Sequence, residues 1–151
     1  MAELSFRFGG YQNPTSILNR SGAALGAALT ARLGEDIDYV LDGDITQLGH
    51  KTGDLITLTE SGDLTFCYMS TNYFSSDVPL VSVLDLPFIY NDRDKAHAKF
   101  DGALGDRVRE EIEGAHPKLK ILHFWDNGYR HFSNRTRPIR EPKDCEGIRT
   151  R

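Results

Sequence analysis

Leu64-Thr-Phe-Cys-Tyr68 is a short, nearly all-apolar run, and a strand with so little alternation belongs to a sheet covered on both faces. Ser61-Gly62-Asp63, just before it, ends a helix drawn through roughly residues 45–60, with Gly49 and Gly53 as candidate breaks. Further back, Ile37-Asp-Tyr-Val-Leu41 reads as a second strand closed by Asp42-Gly-Asp44. Pro14, Leu25, Leu29, Leu33 and Gly34 predict a helix from about residue 15 to 33, and its small-residue run from Ala23 to Ala31 lets it lie close on a sheet. Leu4-Ser-Phe-Arg-Phe-Gly9 alternates and gives the first strand, opening into Gly10-Tyr11-Gln12-Asn13. Strand, helix, strand, helix, strand with short turns means a parallel sheet, hence an α/β fold. Such sheets bind ligands beyond the carboxyl ends of their strands. Three loops are therefore candidates: Gly9 to Asn13, Asp42 to Thr46, and Tyr68 to Tyr73.

Beyond the third strand, the run from Val78 to Tyr90 is too apolar for an open loop, and its prolines, Pro79 and Pro87, speak against a helix across it. The expectation is buried extended backbone packed across the sheet's end. Asn91 is the candidate cap of a helix through Asp94 to Phe100, and a following helix puts Leu104, Val108 and Ile112 on one face until Gly114 and Pro117 end it. Leu119-Lys-Ile-Leu-His-Phe-Trp125 is expected to be another strand. No repeat, low-complexity tract or linker precedes about residue 128.

The chain of 151 residues can bury a core of ordinary domain size, with 39% hydrophobic content and a net charge of −4. That charge is unevenly spread. Residues 128–151 hold six Arg and one Lys against three acids, whereas residues 1–127 carry a charge of −8. Pro138 and Pro142 cut the basic strip, so its arginines sit on kinked, extended backbone rather than on one solvated helical face. Arginine's planar fork matches a carboxylate or phosphate two bonds at a time. The strip is read as a place for a small anion, with solvated surface charge as the bland alternative. The acidic balance speaks against a dedicated nucleic-acid binder and against a membrane-surface protein. No apolar run approaches the roughly 18 residues of a membrane helix, and Met1-Ala-Glu-Leu4 lacks the form of a signal peptide, so the chain is either cytoplasmic or lacks its signal.

Catalytic motifs are missing: there is no nucleophile elbow, phosphate loop or His-Glu-x-x-His, and His50, His97, His116, His123 and His131 are scattered. His131 beside Arg130 leaves an acid-base role conceivable, against that of a solvated loop histidine. Asp42 and Asp44 could ligate a cation, but Asp and Gly are what a tight turn needs. Cys67 reads as a small core residue, and neither it nor Cys145 lies in metal-ligand spacing. Two rivals to small-anion binding stay open: a protein- or polyanion-binding module built on the arginine strip, and a small α/β enzyme. Tyr129 and Phe132 are too few among the arginines for a base-stacking platform.

Val78-Pro79, Leu84-Asp-Leu-Pro-Phe88, Phe100-Asp-Gly102 ahead of a helix, Gly128-Tyr-Arg130, Arg137-Pro-Ile139, and Asp144-Cys-Glu-Gly-Ile-Arg-Thr-Arg151 follow one another in a recognisable order. In this the chain resembles the solute-binding protein of a tripartite ATP-independent periplasmic (TRAP) transporter, of the dicarboxylate-binding DctP type. The resemblance implies a periplasmic-binding-protein-like lobe, with a mainly parallel sheet flanked by helices, truncated before most of the second lobe. Residues 1–127 would be the first lobe and 128–151 an arginine-rich crossing into the second. It also implies a periplasmic receptor that encloses a small carboxylate (a C4-dicarboxylate, keto acid or sugar acid) between two hinged lobes. That receptor would deliver its ligand to the two TRAP membrane subunits without chemistry, cofactor or metal. Arg151 falls on the arginine of the family's Gly-Leu-Lys-Ile-Arg motif, with Arg149 and Thr150 in place of its Lys and Ile, and would be the main carboxylate clamp. Arg130 would be the second. Tyr68 and Asn72, in the loop after the third strand, and Tyr11, in the turn after the first, would shape the pocket. Tyr11, Tyr68 and Tyr73 could equally be core residues. Neither Tyr68 nor Met69 is the acid that sialic-acid binders carry there, which lowers that substrate.

Overall fold

The computed structural model describes residues 4–34, 36–129 and 131–149. Three parallel strands, β1 (Leu4–Gly9), β2 (Ile37–Asp42) and β3 (Phe66–Cys67), form a sheet in the order β2-β1-β3. β1 runs alongside β2 from the Leu4↔Ile37 pair to Gly9↔Asp42, and meets β3 only at Phe8↔Phe66 and Gly9↔Cys67. Helix α1 (Ile17–Leu33) connects β1 to β2, and α2 (Asp54–Ser61) leads into β3. The expected β-α-β-α-β order is therefore present.

Ser16, not the region around Pro14, starts α1: its side chain accepts from the Asn19 amide. The face that α1 lays on the sheet is Asn19, Gly22 and Gly26 rather than the expected leucines, of which Leu25 and Leu29 are half-buried and Leu33 is exposed. A Cβ on Gly26 would lie 2.4 Å from the Tyr39 ring, whereas one on Gly22 would lie 3.2 Å from Leu41 and Phe8. The Tyr39 hydroxyl also donates to the Gly22 carbonyl at 2.6 Å, and burial pushes its pKa up to about 12. Close approach of helix and sheet thus depends chiefly on the missing side chain of Gly26.

The helix expected over residues 45–60 is two pieces. A 3₁₀ turn, Ile45–Leu48, ends at Gly49 in left-handed backbone (φ 89°), and α2 follows after Gly53. Asp54 accepts from the Lys51 amide at 2.8 Å, which secures the new start.

Val78–Tyr90 corrects the expectation of extended backbone. Pro79–Asp85 is a 3₁₀ helix, with Pro79 in its first turn, where a missing N–H costs nothing, and Pro87 beyond its end at Leu86. At three residues per turn, Val78, Val81 and Leu84 line one face, and Val78 and Val81 are buried. Leu86 and Phe88 on the other side are exposed. Helices α3 (Arg93–Phe100, capped by Asp92 rather than Asn91) and α4 (Ala103–Ala115) follow. Val108 and Ile112 of α4 close on Ile56, Phe74, Val78 and Val81 as one core, with Leu104 against it. A second core joins Ile45, Leu55 and Leu64, with Cys67 against it.

Residues 119–125 correct a further expectation, since no strand is formed there among the described residues. Helix α4 supplies the partners a neighbouring strand would have supplied: Glu113 accepts from the Ile121 amide at 2.9 Å, and Arg109 Nε donates to the Ile121 carbonyl at 3.3 Å. Leu119, Ile121 and Phe124 pack against the first core.

Gly→Ala gains about 1 kcal/mol of helix propensity at either α1 glycine, while overpacking costs about 1–3 kcal/mol. Urea denaturation should therefore find Gly26→Ala destabilised by about 1–2 kcal/mol, because the rigid Tyr39 ring must move. Gly22→Ala should be near neutral.

Candidate binding site at the carboxyl ends of the strands

The three loops do converge. Gly10 N–H donates to the Asp42 carbonyl at 2.8 Å, Gln12 N–H to the Gly43 carbonyl at 3.1 Å, and Ile45 N–H back to the Gly10 carbonyl at 2.9 Å. Tyr68 N–H reaches the Gly9 carbonyl at 3.2 Å. Beneath them lies Asn19, 2% exposed. Its Nδ2 donates to the carbonyls of Gln12 (2.9 Å), Asn13 (2.9 Å) and Gly43 (3.1 Å), and its Oδ1 accepts from the Tyr68 hydroxyl at 3.0 Å. The same hydroxyl accepts from the amides of Tyr11 (3.2 Å) and Gln12 (3.1 Å). A phenol has one donor and two acceptor positions, so all three are in use. Burial raises the Tyr68 pKa, against the lowering effect of the two amides, and keeps the hydroxyl a donor to Asn19.

The Asp42-Gly-Asp44 turn is used structurally. Asp42 pairs with Arg7 at 2.9 Å, and Asp44 caps the 3₁₀ turn by accepting from Thr46 Oγ1 (2.6 Å) and N (3.1 Å). The Thr46 hydroxyl bond is the main reason the Asp44 carboxyl lies below its ordinary pKa. Gly10 lets the Tyr68 ring lie against the backbone, since a Cβ there would be 2.5 Å from it.

Of the residues proposed from sequence, Tyr11 and Tyr68 are brought together, with ring centroids 5.4 Å apart. Asn72 sits on the 3₁₀ turn Thr71–Phe74, where its side chain is exposed and its carbonyl accepts from Ser75 N–H at 3.2 Å. Arg130 and Arg151 lie outside the described residues. Within the basic strip, Arg137 folds its own loop, its Nε donating to the Asp144 carbonyl at 3.0 Å and its Nη2 to the Glu146 carbonyl.

Sequence reasoning missed Asn19, whose signal was a polar residue on the small-residue face of α1. It also missed Trp125 and Asp126. The Trp125 ring is 6.1 Å from that of Tyr68. Asp126 accepts from the Gly128 amide at 2.5 Å, contacts His97 Nε2 at 2.9 Å, and pairs with Arg93, which ties the segment approaching Arg130 to α3. Its carboxyl is held down at about 2, chiefly by the Gly128 amide, then by His97 and Arg93.

The comparisons with known proteins fit this geometry. The family model described as bacterial extracellular solute-binding protein, family 7 (DctP), matches residues 44–151. The chain belongs to this family. It is 29% identical over 151 residues to the 2,3-diketo-L-gulonate-binding periplasmic protein of Escherichia coli K12, covering 100% of this chain and 45% of that one. It is 27% identical over 92 residues to the C4-dicarboxylate-binding protein DctB of Bacillus subtilis 168, covering 61% of this chain and 26% of that protein. Among solved structures, the TRAP periplasmic solute-binding protein of Sulfurospirillum deleyianum with bound succinate superposes with a TM-score of 0.84 at 25% identity, covering 97% of this chain and 46% of that one. The corresponding protein of Sulfitobacter with bound β-D-galacturonate gives 0.81 at 22% identity, covering 95% of this chain and 46% of that one. The chain thus spans less than half the length of these relatives, and the α/β fold with a parallel sheet is theirs.

Replacing Asn19 by Ala strips three carbonyls and the Tyr68 hydroxyl of a buried partner, and should cost about 3 kcal/mol in urea denaturation. Tyr68→Phe, which retains the ring, should cost about 1–2 kcal/mol. Asp126 contributes stability above its unfolded value of 3.8, and this contribution is lost as pH falls through about 2. Acid titration should therefore show a loss between these values that Asp126→Asn removes, with the carboxyl ¹³C midpoint near the lower one.

Proposed function

We propose that this chain forms the first lobe, residues 1–127, and the first crossing, residues 128–151, of an extracytoplasmic receptor for a small organic acid. The receptor binds its ligand without chemistry and hands it to the membrane subunits of a TRAP transporter in the periplasm. One observation carries the reading: in a chain of the DctP family, the three loops at the carboxyl ends of β1, β2 and β3 are locked together into a preformed surface. A preformed, mostly apolar surface with a few placed polar groups is the ordinary form of a small-ligand site.

Arg151 is the main carboxylate clamp in this proposal and Arg130 the second. Both are placed by motif. Asp126, anchored to α3, fixes the approach to Arg130. A clamp closed off from water gains selectivity from the cost of leaving its guanidinium unpaired when the ligand is neutral. Tyr68 acts through the loops it holds, because its hydroxyl is fully engaged. Tyr11 and Asn72 border the surface. The engagement of Arg137 with carbonyls speaks against the strip as an open polyanion contact.

The test is a thermal-shift series on the full natural polypeptide that carries this chain, with succinate, 2-oxoglutarate and D-glucuronate, alongside Arg151→Ala and Arg130→Ala. A ligand at a hundred times its dissociation constant adds about 2.7 kcal/mol, a shift of several degrees. At least one acid should raise the melting temperature, and Arg151→Ala should abolish the rise. A shift retained in Arg151→Ala would remove the clamp assignment.

A further inference from the structure

Four aromatic rings follow one another in a row at the carboxyl ends of the strands, in the order Tyr73, Tyr11, Tyr68 and Trp125. Tyr68 is the buried one, at 8% exposure, and its ring lies 5.4 Å from Tyr11 and 6.1 Å from Trp125. Tyr11 in turn lies 6.3 Å from Tyr73, edge to face. The outermost two, Tyr73 and Trp125, are 40% and 42% exposed. They flank the loop junction rather than fill the core, which lies under it with Ile45, Leu55 and Leu64. The set comes from four separate segments: the β1 loop, the end of β3, the following 3₁₀ turn and the segment after α4. The Asn19–Tyr68 hydrogen bonds hold the central ring in place, so the outer rings rest on a fixed floor.

We propose that Tyr73 and Trp125 form a stacking shelf that selects a six-carbon sugar acid over a C4-dicarboxylate; this rests on the receptor reading above. A sugar acid has one carboxylate for the arginine clamp and, across the rest of the molecule, a face of C–H groups edged by hydroxyls. Aromatic faces accept the C–H surface, and the indole N–H and tyrosyl hydroxyls at the ring edges can pair with sugar hydroxyls. A C4-dicarboxylate has a second charge in place of that surface. Laid on the shelf, a carboxylate would lose water against aromatic carbon, where neither Tyr73 nor Trp125 supplies a charge. Arg7 of β1 is already paired with Asp42, and Arg93, beside the turn after Trp125, with Asp126.

Trp125 is the sole tryptophan of residues 1–151, so within this lobe its indole reports on the shelf. The experiment uses the full natural polypeptide, titrated with D-glucuronate, D-gluconate and succinate by calorimetry and by tryptophan emission, with Trp125→Phe assigning the signal and Trp125→Ala and Tyr73→Ala breaking the shelf. Both positions are two-fifths exposed, and unchanged melting temperatures of the unliganded variants certify that they fold. The expected result is a sugar acid bound more tightly than succinate, with a change in the Trp125 signal. Each alanine variant should weaken the sugar acid about tenfold or more, the usual scale for one lost apolar pocket contact, and leave succinate within about threefold. Succinate bound as tightly as any sugar acid, or alanine variants that weaken both equally, would overturn the shelf while the receptor reading stands. Sugar-acid binding with a silent Trp125 signal would overturn it too. If no acid binds, the receptor reading fails and the shelf fails with it.

Discussion

The side-chain amide of Asn19 is the point on which the upper end of this lobe depends. Parallel strands end with their loops facing the same way, and each loop brings backbone carbonyls and amides that pair with no strand. Asn19 takes three of those carbonyls, and through the Tyr68 hydroxyl it secures two amides as well. One buried residue on α1 therefore satisfies groups from the β1 loop and the β2 turn and engages the side chain that ends β3. A buried network of this kind is stable because each member is paired, and it fails as a unit when one is removed.

That network also decides what the tyrosines do. The Tyr68 hydroxyl is a brace, since its donor and acceptor positions are filled from within the chain. Trp125 and Tyr73 are the exposed members of the ring cluster, and Tyr11 joins Tyr73 to the floor.

The first core fixes the position of Trp125. Val78, Val81 and Leu84 present one face of a 3₁₀ helix to α4, and residues 119–124 pack on the same cluster while α4 side chains hold the Ile121 backbone. His116 ties α4 to α2 through Glu60, 3.0 Å from Nδ1, with its ring edge against Phe74. Arg93 and His97 of α3 then grip Asp126, immediately after the tryptophan. The turn after Trp125 is thus anchored on both sides, by α3 and by the Gly128 amide, so its course is set by packing rather than by a loop's own preferences.

The sequence by itself determined the parallel α/β order, the three loops that converge at the strand ends and the family, because these rest on short-range signals: apolar runs of strand length, glycines at helix ends, and motifs such as Leu84-Asp-Leu-Pro-Phe88 in fixed order. It also placed Val108 and Ile112 in the core, as a helical period should. Tertiary structure alone decided the rest. Pro79 and Pro87 read as helix breakers until the helix proved to begin at one and end before the other, with a period of three. The run from Leu119 to Trp125 has the composition of a strand, yet a ladder needs a neighbour, and α4 supplied side-chain partners instead. Asn19 looked like an ordinary polar position on a helix, because nothing local reveals that carbonyls from residues 12, 13 and 43 will converge on it. Periodicity and capping are properties of neighbouring residues, whereas the satisfaction of a buried polar group is a property of the whole fold.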